Sequence, residues 1–286
     1  YTHQEEAVKK IAAGRNLLIA TGTGSGKTES FLIPIIDYLL KQKESGELGP
    51  GVRALLLYPM NALANDQVKR IREILGNYPE ITFGRYTGET EADPKRAQEK
   101  YVSRNGVLPP KNELISRTAM QQAPPNILLT NYAMLEYLLL RPEDHEIFNG
   151  EFSDQWKFIV ADEAHTYDGA HGVEVAMLLN KLRERVDPAR RIQTIGTTAT
   201  IGGSDLDKEA FASNFFGNEY TISESQPEIS DLVVPSREAI PEGSWGPIGS
   251  KDWLKIVDVA AFSDHTGIGT SSPDELVSLF HAEKNV

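Results

Sequence analysis

The sequence predicts an α/β domain built on a largely parallel sheet with helices on both faces. Three observations carry this. Short apolar runs of strand length recur along the chain, and most are followed by a helical pattern. A glycine-rich loop lies between the first strand and the first helix after it, and a later apolar strand ends in two adjacent carboxylates. Strands buried on both faces read as near-continuous apolar runs, and alternation of such strands with helices is the signature of a parallel sheet.

The elements follow in order. Residues 16–20 form a strand that runs into the glycine-rich loop, and residues 27–42 a helix. Phe31, Leu32, Ile33, Ile35, Ile36, Tyr38, Leu39 and Leu40 lie on almost every face of that helix, so it is expected to be well buried. Pro34 should kink it or shift its start, because proline lacks the N–H and crowds the preceding turn. Residues 43–51 are a polar loop with three glycines. A second buried strand at 53–58, an amphipathic helix at 62–75 and a third strand at 81–85 come next. Residues 86–125 break the rhythm: they are polar and carry Pro94, Pro109, Pro110, Pro124 and Pro125, so an inserted excursion with one or two short helices is expected. Strand patterns return at 126–130, 157–160 and 191–196, with helices at 132–140 and 172–185. The pattern weakens past about residue 220, where prolines scatter among Ser and Gly and only 231–234 and 254–262 read as strand-like. The expected organisation is one domain over 1–220, then a linker, an insertion or the start of a following domain over 221–286.

Composition narrows the function. The chain has 286 residues, 40% of them hydrophobic and 24% charged, which excludes a disordered or fibrous class. It has no cysteine, so disulfides, Cys-zinc sites and thiol nucleophiles are excluded. No apolar run approaches the roughly 18–20 residues of a membrane span, and no signal peptide is visible, so no membrane partner and a cytoplasmic location are expected. A first residue of Tyr1 rather than Met suggests a piece of something larger. The net charge is -12, so any nucleic acid must be held by local groups and not by a basic field.

The loop Gly22-Thr23-Gly24-Ser25-Gly26-Lys27-Thr28 follows a strand and opens a helix, the setting a Walker A phosphate loop needs. Glycines let the backbone curl so that N–H groups from Thr23, Gly24, Ser25 and Gly26 face phosphate oxygens, and the helix start adds its dipole. Lys27 would reach the β- and γ-phosphates of ATP and the Thr28 hydroxyl would ligate Mg2+. The first motif position is Thr21 in place of glycine. A dinucleotide reading fails because Lys-Thr follows the last glycine. The acidic pair ends Phe158-Ile159-Val160-Ala161-Asp162-Glu163, with Asp162 the candidate Mg2+ acid and Glu163 the candidate base that activates water. The bland alternative, a solvated acidic turn, loses force beside an intact phosphate loop.

Asp162-Glu163-Ala164-His165 after a strand, with Gly24-Ser25-Gly26-Lys27-Thr28 upstream, resembles the DEAD/DEAH-box superfamily 2 helicases. Other segments match in the expected order. Tyr1-Thr2-His3-Gln4 resembles the Q motif, which implies that Gln4 reads the adenine edge. Tyr58-Pro59-Met60-Asn61 resembles motif Ia, Tyr86-Thr87-Gly88 the adjoining TG element and Leu129-Thr130-Asn131 motif Ib. Thr198-Ala199-Thr200 resembles motif III. The resemblance implies a three-layer P-loop NTPase (RecA-like) domain, the first of a helicase pair, whose partner is a second RecA-like domain of the same larger protein. It implies nucleic-acid backbone contacts at Pro59, Asn61, Thr87, Gly88, Thr130 and Asn131, and coupling of hydrolysis to movement through His165, Thr198 and Thr200. The wording around 125–142 and 162–182 resembles the Lhr and MrfA type of large helicase, some of whose relatives serve in Druantia or DISARM anti-phage systems. That favours DNA over RNA.

Several readings stay open in the sequence. Thr130-Asn131 is also a good helix N-cap. Lys95, Arg96, Lys100 and Arg104 fit a solvated helix face or a nucleic-acid contact. His165 and His171 have no zinc spacing. A helicase, a duplex translocase that does not separate strands, and a catalytically silent scaffold are the functional alternatives; intact Lys27, Thr28, Asp162 and Glu163 speak against the last.

Overall fold

The computed structural model describes residues 1–22, 24–149, 151–187, 191–199, 202–223 and 225–234. The strand-like run at 254–262 therefore lies outside the described residues, as do Thr23 and Thr200.

Helix α1 (Thr2–Ala12) buries His3, Ala7, Lys10 and Ile11, a stripe at helical spacing. Strand β1 (Leu17–Ala20) leads through the glycine-rich loop into α2 (Lys27–Glu44), which continues through Pro34 and does not restart after it. Strand β2 (Ala54–Tyr58), α3 (Asn61–Leu75) and β3 (Phe83–Arg85) follow. The region read as an excursion holds two helices, α4 (Pro94–Asn105) and α5 (Arg117–Gln122), and between them β4 (Glu113–Leu114) joins the sheet. Next come β5 (Ile127–Asn131), α6 (Tyr132–Leu140), α7 (His145–Asn149) and β6 (Phe158–Ala161). Then α8 (Gly169–Val186), β7 (Gln193–Thr198), α9 (Asp205–Phe216) and β8 (Leu232–Val233) complete the order. The chain past 220 thus contributes a strand to the same sheet as far as Val233.

The strands form one eight-stranded sheet in the order β4-β3-β5-β2-β6-β7-β1-β8, and every neighbouring pair is parallel. Side chains alternate between faces. Leu17 and Ile19 of β1 join Leu56, Leu129 and Val160 in a core closed by α1, α2 and α3. Leu18 joins Leu55, Leu128 and Ile159 in a second core closed by α6, α7, α8 and α9. Three layers result, as the apolar runs predict.

Buried polar side chains close the amino-terminal edge of the sheet. Arg53 is 1% exposed, yet no carboxylate pairs with it among the described residues. Its Nη1 donates to the carbonyls of Gly49, Pro50 and Gly51, each at 2.8 Å, and its Nε to Gln42 Oε1 at 2.9 Å. Burial pushes its pKa below the ordinary arginine range. Gly51 sits at φ 119°, and a Cβ there would come within 3.0 Å of Arg53 Nη1 and of Phe152 O. Only glycine meets both demands. Asn126 adds a second clamp, accepting from Thr82 N at 2.9 Å and donating to Gly49 O at 2.8 Å.

Replacing Arg53 by Met keeps the apolar stem and strands those carbonyls. Because each unsatisfied buried acceptor costs about 1–3 kcal/mol, Arg53→Met is expected to lower stability by about 2–4 kcal/mol, read as a fall in the urea midpoint with an unchanged slope. An unchanged midpoint would show that the carbonyls find water.

Candidate nucleotide site and nucleic-acid track

In a parallel sheet every strand ends at the same edge, and the register decides which loops meet there. Ala20 pairs with Thr198, and Ala161 with Gly196, so the phosphate loop after β1, the Asp162-Glu163 turn after β6 and the end of β7 lie side by side. β1 is also where the chain order reverses: the next strand, β2, lies beyond β7 and β6. Such a switch point opens a crevice outside the carboxyl ends of the strands.

Gly24 and Gly26 adopt φ of 78° and 83°, which curls the loop and starts α2 from a left-handed residue. The α1 helix clamps this loop. Gln4 Nε2 donates to Gly26 O at 3.0 Å, and His3 Nε2 lies 3.0 Å from Ser25 O. A Cβ at Gly26 would lie 2.3 Å from Gln4 Nε2, so that position also needs glycine for space. Thr21, which replaces the usual first glycine, bonds Ser25 Oγ at 2.6 Å and steadies the loop from within.

Lys27 is 7% exposed and its Nζ lies 3.1 and 3.2 Å from the two carboxylate oxygens of Glu163. The Thr28 hydroxyl has one long contact, from Gln67 Nε2 at 3.5 Å. Asp162 is also 7% exposed. Burial raises its pKa, and a hydrogen bond donated by the Thr197 hydroxyl pulls it back. The same hydroxyl accepts from Glu163 N at 3.0 Å. Glu163 has φ 51°, the one positive value at a non-glycine residue among those described. That conformation costs roughly 1–2 kcal/mol and is held by Thr197 on one side and by Thr166, whose N and Oγ1 donate to Glu163 O at 2.9 and 2.8 Å, on the other. His165 Nδ1 lies 3.4 Å from Glu163 Oε2 and accepts from Ala199 N at 3.4 Å, linking the acidic turn to the segment after β7.

These residues suit Mg-ATP. The Asp162 carboxylate, buried without a cation in hydrogen-bond reach, and the Thr28 hydroxyl, with one weak partner, are hard oxygen donors of the kind Mg2+ takes alongside nucleotide phosphates. No group of three or more His, Asp or Glu fit to hold a metal by itself occurs among the described residues.

The candidate track residues fall into two kinds. Thr87 and Thr130 are fully buried; Thr130 Oγ1 donates to Tyr86 O at 2.7 Å and Thr87 N to Thr90 Oγ1 at 3.0 Å, so both shape the loops from inside. Pro59, Asn61 and Asn131 are half-buried, Gly88 is exposed, and these four form the accessible set. Asn131 accepts from Met134 N at 2.7 Å, so the N-cap reading holds. Its Nδ2 also donates to Asn61 Oδ1 at 2.6 Å, which joins the loops after β2 and β5. Thr198 is buried at the end of β7, and Thr21 N donates to its carbonyl at 3.2 Å. Sequence reasoning missed Thr197, one position before the Thr198-Ala199-Thr200 element; the available signal was a threonine at the end of a buried strand. It also missed Gln67, whose Oε1 is buried without a partner.

Fold and site together define a P-loop nucleotide-binding domain. The model of the DEAD/DEAH box helicase family matches residues 1–208, and the chain belongs to that family as the first RecA-like domain of a superfamily 2 helicase. It is 34% identical over 340 aligned positions to the Druantia protein DruE of Escherichia coli (strain UMEA 4076-1), covering 84% of this chain and 18% of that protein. It is 29% identical over 199 residues to the ATP-dependent helicase Lhr-Core of Methanothermobacter thermautotrophicus, covering 69% of this chain and 21% of that protein. Among solved structures, the helicase MrfA bound to DNA superposes with a TM-score of 0.59 at 25% identity over 82% of this chain and 25% of that one. Mss116 bound to single-stranded RNA, at 20% identity and a TM-score of 0.58 over 82% of this chain and 40% of that one, shares the fold. The chain thus spans about a fifth of the length of these two curated relatives. No helix among the described residues is long and apolar enough to cross a membrane.

Two outcomes follow from Thr197 and from the Lys27–Glu163 pair. Thr197→Val keeps the shape but removes the donor to Asp162 and the acceptor for Glu163 N; stability should fall by about 1–3 kcal/mol and ATP turnover at least tenfold, whereas Thr197→Ser should restore most of both. Glu163→Gln removes the charge that competes for Lys27. A fluorescent ATP analogue should then bind several-fold more tightly while phosphate release falls by about 10²-fold or more. Equal affinity in mutant and parent would show that the pair does not compete with phosphate.

Proposed function

We propose that this chain is the ATP-binding half of a nucleic-acid helicase motor that works on DNA. The observation that carries the reading is the meeting of Lys27, Asp162 and Glu163 at one edge of the sheet, next to the row of neutral donors joined by the Asn61–Asn131 bond. Gln4 and the loop amides from Thr23 to Gly26 bind the nucleotide, Lys27 neutralises its terminal phosphates, and Thr28 and Asp162 hold Mg2+. That ion would supply positive charge to offset the charge that develops on the phosphates. Glu163 positions and deprotonates the attacking water. His165, with Thr198 and Thr200, passes the state of the site to the rest of the motor. Pro59, Asn61, Gly88 and Asn131 hold the sugar–phosphate backbone, which positions the strand without reading its sequence. Neutral donors and backbone N–H groups suit a chain of net charge -12.

DNA is favoured by the 25% identity to MrfA, solved on DNA. The Druantia relative favours a defence role for the parent protein. A second RecA-like domain of that protein completes the cleft and supplies cationic groups to the transferred phosphoryl, so the isolated chain should bind ATP and turn it over weakly; loss of an arginine finger typically costs about 10³–10⁵ in rate.

The test is ATP turnover by the full-length protein with single-stranded DNA, duplex DNA or RNA, against Glu163→Gln. Stimulation by DNA that the mutant abolishes is expected. Turnover indifferent to every polymer would leave an ATPase and remove the helicase. A strand-displacement assay beside a triplex-displacement assay separates unwinding from translocation on duplex.

A further inference from the structure

A cavity of about 360 Å³ opens between α3, β3, α4 and β4, beside the loop that carries Thr87 and Gly88. Apart from Thr90, none of the residues that line it takes part in the site described above. Five cationic side chains line it against three carboxylates, an excess of two positive charges in a strongly acidic chain. The inner charges are matched. Arg72 makes a bidentate pair with Glu113 at 2.6 and 2.8 Å and lies over the Tyr101 ring. Lys100 pairs with Glu91 at 2.5 Å, and Arg85 with Glu89 at 3.3 Å.

The remaining two cations are Lys69 of α3 and Arg104 of α4. Arg104 is exposed and makes no ion pair among the described residues. Lys69 reaches only Asp66, at 3.5 Å, with both side chains at least 66% exposed, a contact of little strength. The inner charges thus satisfy one another, and Lys69 and Arg104 remain as the two cations of the lining without a close carboxylate partner. The basic run on α4 divides accordingly: Lys100 and Arg104, one turn apart, face the cavity, while Lys95 lines a separate depression with Gln98 and Glu99.

Position supplies the occupant. Lys69 lies two turns of α3 beyond Asn61, roughly 12 Å along the helix axis. A stacked strand advances about 3.4 Å per nucleotide, so this is three to four phosphates. We propose that Lys69 and Arg104 hold the backbone of single-stranded DNA three to four nucleotides out from the phosphate at Asn61, so that the α3–α4 cavity extends the track past the family loops. The proposal rests on the reading that the Asn61–Asn131 loops carry a nucleic-acid backbone.

The experiment is fluorescence anisotropy of the full-length protein with a short and a long labelled single-stranded DNA, about 4 and 12 nucleotides, over a range of salt. Lys69→Ala/Arg104→Ala is expected to weaken the long oligonucleotide about tenfold or more, to leave the short one unchanged, and to reduce the log–log salt slope by about 1.4, at about 0.7 per lost contact on single strands. Lys69→Glu/Arg104→Glu should weaken it further. Lys95→Ala/Arg96→Ala, on the same helix, should bind as the parent does. Parent-like binding by the double alanine variant, or an equal loss in the Lys95/Arg96 control, would overturn the cavity as a subsite while leaving the motor reading intact. Failure of the parent to bind either oligonucleotide would overturn both.

Discussion

A sheet in which every neighbour is parallel has one carboxyl edge, and this domain depends on that constraint. Six strands deliver their last residues to the same line: Ala20, Tyr58, Arg85, Asn131, Ala161 and Thr198. The glycine-rich loop, the acidic turn and the loops after β2, β3 and β5 are neighbours because the register makes them so. A one-residue slip of β6 against β7 would turn Asp162 away from Thr197 and exchange its apolar faces between the two cores. Burial on both sides therefore fixes the same register that the chemistry needs.

Within that edge, Thr197 concentrates several demands. Its hydroxyl serves as donor to Asp162 and acceptor for Glu163 N, so one side chain orients the Asp162 carboxylate and helps hold Glu163 in a left-handed backbone. The hydroxyls of Tyr58 and Tyr167 lie buried without partners, and burial, with the charge of Asp162, raises both. Asp162 thus lies within electrostatic reach of two buried aromatic hydroxyls as well as of Thr197, Glu163 and Lys27. Electrostatic interactions there are stronger than in water.

Most of the fold was legible because strands buried on both sides leave an unbroken apolar record. Residues 132–140 were read as a helix with the bounds of α6, and the phosphate loop and acidic turn were legible from chemistry alone. The misses have physical reasons. Helix α9 carries no clean apolar stripe: Leu206 is 76% exposed, while Lys208 is buried. β8 falls in the run 231–234 that reads as strand-like, but its two-residue pairing with β1, held by Lys10 and Arg15 from across the chain, places it in the same sheet through contacts that no local pattern announces. β4 is equally short and sits in a segment whose prolines argued for irregularity. Thr130 and Thr87 hold motif positions in the sequence, and the structure adds that both side chains are buried, which no local pattern shows. Thr197 could not be told from its neighbour Thr198 without the register.

Among the described residues, the two shortest strands, β4 and β8, are also the two edges of the sheet. A wide, flat, aliphatic sheet is a template on which a foreign strand can grow, and an open edge is where growth begins. Here each outermost strand offers a ladder of two residues, and each is flanked by a charged clamp, Arg72–Glu113 on one side and Arg15–Asp231 on the other. The six inner strands are enclosed between terminators too short to propagate. The brevity that hides β4 from pattern reading is, at both edges, what protects the domain from edge-to-edge aggregation.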